Sequence, residues 1–146
     1  MVQNVNPTFV KTPNNAATQI TTGTGSSTLV TVYSGGTNGS KIPALIATSV
    51  GTTAAFDVVW GVSSGGPFYT YDDTSIPVGA GSSNVTPPVN LISASNIPGL
   101  AVDSDGNAFI FLASSNWSLQ AKTPATSSTW ATGAVINLIV PSVGDF

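Results

Sequence analysis

Residues 41–62 read KIPALIATSVGTTAAFDVVWGV, with a lysine at one end, an aspartate near the other and no other ionisable side chain. A membrane-crossing helix needs about 20 mainly apolar residues. The stretch has the length, but Pro43, Thr48, Ser49, Gly51, Thr52 and Thr53 interrupt it, and Asp57 inside hydrocarbon would cost about 3 kcal/mol. The period decides between the two solvents. Phe56, Val58, Trp60 and Val62 fall on one side of an extended chain, with Asp57, Val59 and Gly61 on the other. That alternation predicts a half-buried strand in a water-soluble protein. Ile42 to Val50 reads as a second, more continuously apolar strand, and Val50-Gly51-Thr52-Thr53 supplies a turn, so a hairpin is expected here.

The same pattern extends in both directions. Thr28 to Tyr33 is a β-rich run closed by Ser34-Gly35-Gly36-Thr37-Asn38-Gly39, and Pro67 to Tyr71 follows the loop Ser63-Ser64-Gly65-Gly66. Pro88 to Ser93 follows the polar loop Ala80 to Thr86. Gly99 to Val102 and Ala108 to Ala113 flank Asp103-Ser104-Asp105-Gly106-Asn107, where Asp-Gly signals a hairpin. Trp117 to Lys122 and Ala134 to Val140 bring the expected number to roughly eight to ten short strands at the spacing of a sandwich. The expected fold is therefore all-β: one antiparallel β-sandwich domain over residues 28–146, jelly-roll-like in outline.

Composition supports this reading. The chain has 146 residues, enough for one real core, with 41% hydrophobic and 6% charged residues. All six acids are Asp and all three bases are Lys, so the charged residues that favour helices are missing. Lysines at 11, 41 and 122 with a net charge of −3 form no basic patch, which argues against nucleic acid as a partner. Cysteine is absent, so disulfides and thiolate metal sites are excluded. The opening MVQNVNPTFV lacks the cationic-then-apolar pattern of a secretory signal.

Residues 1–27 differ from the rest. Asn, Pro, Thr and Gly dominate, and Phe9, Val10 and Ile20 are the few apolar anchors, so an extended arm ordered against a neighbour is expected.

Reactive chemistry is scarce. Without His or Cys, neither a Ser-His-Asp nor a Cys-His constellation can be built. Asp72 and Asp73 are adjacent, so on a strand they point to opposite faces and do not form a glycosidase pair. Asp103-Ser104-Asp105-Gly106-Asn107 has the alternating oxygens of a calcium loop, but the distal Glu is missing and a hairpin turn explains the glycine. Asn38-Gly39-Ser40, Asn84-Val85-Thr86 and Asn116-Trp117-Ser118 match the glycosylation pattern at a frequency that a Ser/Thr-rich chain produces by chance. No catalytic, metal or cofactor residue is assigned, and the expectation is a protein that is not an enzyme. Tyr69, Tyr71, Trp117 and Trp130 form a sugar-stacking platform if they are exposed together, whereas Trp60 alternates in phase with core residues. The nearly uncharged surface that remains favours contacts with other subunits, whose interface centres are depleted of charge.

Several segments resemble a known family: Pro7-Thr8-Phe9-Val10 with Thr12-Pro13, the loop Gly36-Thr37-Asn38-Gly39-Ser40-Lys41-Ile42, Thr52-Thr53-Ala54, Asn116-Trp117-Ser118-Leu119-Gln120-Ala121 and Gly144-Asp145-Phe146. Together they resemble the small capsid decoration, or cement, proteins of tailed bacteriophages. The resemblance implies a homotrimer on the outside of an icosahedral head, gripping the major capsid protein and assembled in the host cytoplasm. It implies no catalytic residue, cofactor or membrane. On this reading Pro7, Phe9, Val10, Pro13 and Ile20 of the arm are the contact residues for shell or neighbouring subunit, their many weak contacts adding through avidity. Pro67 to Asp73 and Ala80 to Thr86 depart from the family pattern. A sugar-binding module of a phage fibre or adhesin, built on Tyr69, Tyr71, Trp117 and Trp130, is the alternative, and an Asp-pair hydrolase ranks third.

Overall fold

Strands rich in Val, Ile, Thr and aromatics, punctuated by glycine, build two antiparallel sheets. The computed structural model describes residues 12–21, 28–124 and 133–146. In chain order the strands are β1 (Thr12–Thr21), β2 (Val30–Ser34), β3 (Ser40–Ile42), β4 (Ile46–Val50), β5 (Phe56–Ser63), β6 (Phe68–Ile76), β7 (Val89–Asn90), β8 (Ile110–Leu112), β9 (Ser118–Lys122) and β10 (Val135–Asp145). One sheet has six strands and the other four, in the order β2-β9-β5-β6. No helix among the described residues is long and apolar enough to cross a membrane.

The six-stranded sheet is organised by β10. One edge of β10 pairs with β1 along nearly its whole length; the other pairs first with β4 (Val135↔Val50 to Ile139↔Ile46) and then with β3 (Gly144↔Lys41, Asp145↔Ser40). β7 lies beyond β4 and β8 beyond β3. The side chains of β10 alternate, with Ile136, Leu138 and Val140 buried and their neighbours half-buried. At Pro141-Ser142 the ladder with β1 skips, so that Asn14 faces Val143 while Ala16 faces Val140. A proline has no N–H for the ladder, and a bulge is where a strand tolerates it.

The structure corrects the opening stretch in two places. Ile42 to Val50 is two strands, because Pro43 cannot continue the ladder, and the chain steps from β8's neighbour β3 to β7's neighbour β4 along the same side of β10. The expected hairpin with Phe56 to Val62 does not form. After Gly51, whose φ is +67°, the chain crosses to the other sheet, where β5 pairs with β6 and β9. Alternation specifies that one face of each strand is buried, which holds equally for a hairpin and for two strands on facing sheets. The faces themselves are as expected: Phe56, Val58, Trp60 and Val62 are all buried.

The core gathers inward residues of both sheets: Ile42, Ala47, Ile110, Leu112 and Leu138 from one, Val32, Val58, Trp60 and Leu119 from the other. Within the segment expected to be an arm, Thr12–Thr21 is strand β1, and Ile20 is 1% exposed in this core. Its partner Ile136 lies more than a hundred residues away in sequence, which is why the anchors of the first 27 residues look insufficient by themselves. The antiparallel all-β fold is as expected. Its sheets of six and four strands differ from the eight strands of a jelly roll.

Two polar ties fasten the structure. Ser49, fully buried on β4, donates to the Pro77 carbonyl (2.7 Å) and accepts from the Ala80 N–H (3.0 Å), and its backbone oxygen accepts from Ser82 (2.6 Å). At the other end Asp145 of β10 accepts from the hydroxyls of Tyr33 on β2 and Ser40 on β3, so one carboxylate links both sheets. The Gly36 N–H donates in turn to Ser40 Oγ at 2.7 Å. Burial raises the Tyr33 hydroxyl pKa, and the hydrogen bond to the Asp145 carboxylate adds to that rise.

Candidate binding surfaces

The chemistry-poor sequence leaves aromatic side chains as the main recognition material, and the structure sorts them into two surfaces.

The first lies on the outer face of the six-stranded sheet. β8 alternates Ile110 in, Phe111 out, Leu112 in, and β3 alternates Ser40 in, Lys41 out, Ile42 in. Lys41 and Phe111 face each other across the ladder. The Phe111 ring, 52% exposed, lies 6.0 Å from that of Phe146, and Lys41 Nζ sits 4.4 Å above the Phe109 ring. The Lys41 ammonium also approaches the Asp103 carboxylate at 3.9 Å. Gly39 makes the arrangement possible. Its φ is +104°, a Cβ there would lie 2.8 Å from the Phe111 ring, and its carbonyl accepts the Phe146 N–H at 3.1 Å. The sequence reading missed this patch, because Ile110-Phe111-Leu112 is apolar throughout and gives no hint of which residue faces water.

The second surface follows edge strand β6. Tyr69 and Trp117, expected as stacking residues, come together with ring centroids 6.3 Å apart. Tyr71 meets buried Trp60 edge-on at 5.7 Å. Tyr69 and Tyr71 are 48% and 39% exposed, and Trp117 is half-buried. The ladder slips here: Trp60 faces Asp72 and Gly61 faces Thr70, so Tyr71 is the extra residue of a bulge. Gly61 is required, since a Cβ would lie 1.9 Å from the Tyr69 carbonyl oxygen. Beneath Tyr71 the Trp60 indole N–H is buried without an acceptor among the described residues. Trp130 falls outside the described residues.

The carboxylates disperse. Asp72 pairs across the ladder with Trp60 and accepts from Thr74 at 2.9 Å, while Asp73 faces Val59 on an exposed position. Desolvation, followed by the nearby charges of Asp57 and Asp72, raises the Asp73 pKa. The Asp103 loop is a tight turn: Asp103 Oδ1 accepts the N–H groups of Asn107 (2.9 Å) and Asp105 (3.0 Å), and Gly106 has φ +82°. The Asn107 N–H, with help from Asp105 and Lys41, lowers the Asp103 pKa. No group of three or more His, Cys, Asp or Glu able to hold a metal occurs among the described residues. A shallow cleft of about 390 Å³ beside this loop, lined by Pro43, Asn90, Ser93 and Asp103 among others, therefore offers one carboxylate already engaged by its own backbone.

Of the expected arm contacts, Pro7, Phe9 and Val10 lie outside the described residues. Pro13 is exposed on β1 beside the bulge at Pro141, and Ile20 is in the core, where it is unavailable to a partner. No protein-family model, curated protein or solved structure matches the chain.

Proposed function

We propose that the protein is a structural, self-associating component that binds a larger protein shell, in the manner of the phage capsid decoration proteins its sequence resembles. The observation that carries this reading is the Phe111–Phe146 patch: aromatic hydrocarbon held in water on the outer face of a sheet, with Lys41 beside it partnered by Asp103. A large exposed ring without a polar handle gains free energy only when covered. The partners on this reading are the major capsid protein and further copies of the chain, with the trimer implied by the resemblance. Co-sedimentation of the purified protein with heads lacking it tests the proposal. Wild type is expected in the pellet and Phe111→Ser in the supernatant, with both folded; a wild-type protein that never pellets with heads overturns it.

The Tyr69–Trp117 pair supports a second reading, a saccharide platform. Two amphipathic rings, tilted by 36° and partly exposed, present both a stacking face and a hydroxyl. A glycan-array signal lost in Trp117→Ala favours it over the first.

A further inference from the structure

The turn that supports the Phe111 surface holds a reactive pair of residues. Gly36, Thr37, Asn38 and Gly39 close a β-turn through the Gly39 N–H and the Gly36 carbonyl at 3.1 Å, with Thr37 and Asn38 exposed at its tip. Asparagine is among the thermolabile residues. The main-chain nitrogen of the following residue attacks its side-chain amide, and a side chain on that residue crowds the approach; glycine has none. Asn38 is the one asparagine of the sequence followed by glycine. Asn84 and Asn116 are exposed as well, but the bulky Val85 and Trp117 follow them.

The reaction needs only base and water. Gly39 N gives up its proton and attacks Asn38 Cγ; the N–Cγ bond forms, the Cγ–Nδ2 bond breaks, and the amide leaves as ammonia. Water then opens the resulting cyclic imide on either side. Opening at Cγ leaves an ordinary aspartate at position 38, and opening at the main-chain carbonyl leaves an isoaspartate whose backbone runs through Cβ. The hydrogen bond from the Gly39 N–H sets the pace, because the nitrogen attacks when the turn opens, and exposed turns open at the least cost in free energy.

The far side of Gly39 makes the site consequential. Gly39 is buried, its carbonyl accepts the Phe146 N–H at 3.1 Å, and a Cβ on it would lie 2.8 Å from the Phe111 ring. The start of the turn is fixed too: the Gly36 N–H donates to Ser40 Oγ at 2.7 Å and the Gly35 N–H to the Trp117 carbonyl at 2.9 Å. Either product therefore places a carboxylate one residue from the ring contact, where an interface centre is depleted of charge. The isoaspartyl product also lengthens, by one main-chain atom, a turn held at both ends.

We infer that Asn38 is a site of spontaneous deamidation, and that its conversion to aspartate or isoaspartate disables the Phe111–Phe146 surface. The modification stands on the turn alone; the loss of binding rests on the shell-binding reading of that surface.

The whole chain, aged at mildly alkaline pH, is mapped by peptide mass spectrometry, with isoaspartyl methyltransferase marking the rearranged product. Conversion is expected at position 38, faster as pH rises, with Asn84 and Asn116 intact. Asn38→Gln, whose side chain would have to close a larger ring, is expected to stay unmodified. Aged wild type is expected to lose most of its co-sedimentation with heads, and aged Asn38→Gln to keep that of fresh protein. An Asn38 that survives ageing, or conversion of Asn84 or Asn116 ahead of it, overturns the modification; an equal loss of binding in aged Asn38→Gln overturns its consequence. Should fresh wild type never pellet, the shell-binding reading fails while the mass map still decides the modification.

Discussion

The two aromatic surfaces use similar rings in opposite ways. Phe111 and Phe146 carry no polar atom, lie on a sheet face and are positioned by a positive-φ glycine in a turn. Tyr69, Tyr71 and Trp117 carry hydroxyl or indole groups; the two tyrosines lie on edge strand β6, Trp117 sits just before β9, and a glycine that lets β5 and β6 approach positions the tyrosines. A phenyl face stays in water only at a cost, which makes it suited to lasting cover; a phenol serves water and a partner in turn, which makes it suited to exchange. Different glycines hold the two surfaces, so they can be broken separately.

The largest effect is expected at Gly61. Gly61→Ala forces the β6 backbone away from β5 and is expected to cost about 3 kcal/mol in denaturant unfolding, with the Tyr69–Trp117 pair lost and the phenylalanine patch intact. Tyr33→Phe comes next. It removes a hydrogen bond to a carboxylate beside the Phe146 end of β10 and is expected to cost about 2 kcal/mol. Its pH dependence has a definite sign. The folded-state pKa of Tyr33 is raised, so this stabilisation is whole below pH ~10 and fades as pH climbs through the folded-state value. Alkaline melting curves are expected to lose part of their slope in Tyr33→Phe.

Phe111→Ser is expected to change stability by about 1 kcal/mol or less, because the ring is half in water already, while reducing association with heads; the reverse outcome would make the patch a piece of core. Asp73→Asn gives the smallest change. The carboxyl pKa is raised in the fold, so ionisation above the usual carboxylate range disfavours the folded state, and the neutral amide is expected to raise stability at pH 7 only slightly, because solvent screens this exposed position. A decrease would mean that β6 uses that charge.

Much of the fold was legible where one strand carries its own signal. The alternation Phe56, Val58, Trp60, Val62 marks a buried face, and Asp105-Gly106 marks a turn. Partnership between strands was less legible. Nothing local tells β4 that its neighbour is β10 rather than β5, and nothing in Ala16-Ala17-Thr18-Gln19-Ile20 announces that Ile20 has a core waiting at Ile136. The second surface was half visible, since aromatic content suggested Tyr69, Tyr71 and Trp117 but not their pairing or the role of Gly61. The first was hidden because Phe111 and Phe146 are distant in sequence and meet only through β3 and β10.

The position of β10 also governs how the chain is made. Gln19 and Asn137 are separated by 118 positions, so the larger sheet cannot close until residues 135–145 have emerged from the ribosome. Until then β1, β3 and β4 have no central strand to join, in a nascent polypeptide with very little charge to keep copies apart. A longer delay between synthesis of the early strands and the emergence of residues 135–145 should therefore lower the yield of soluble protein.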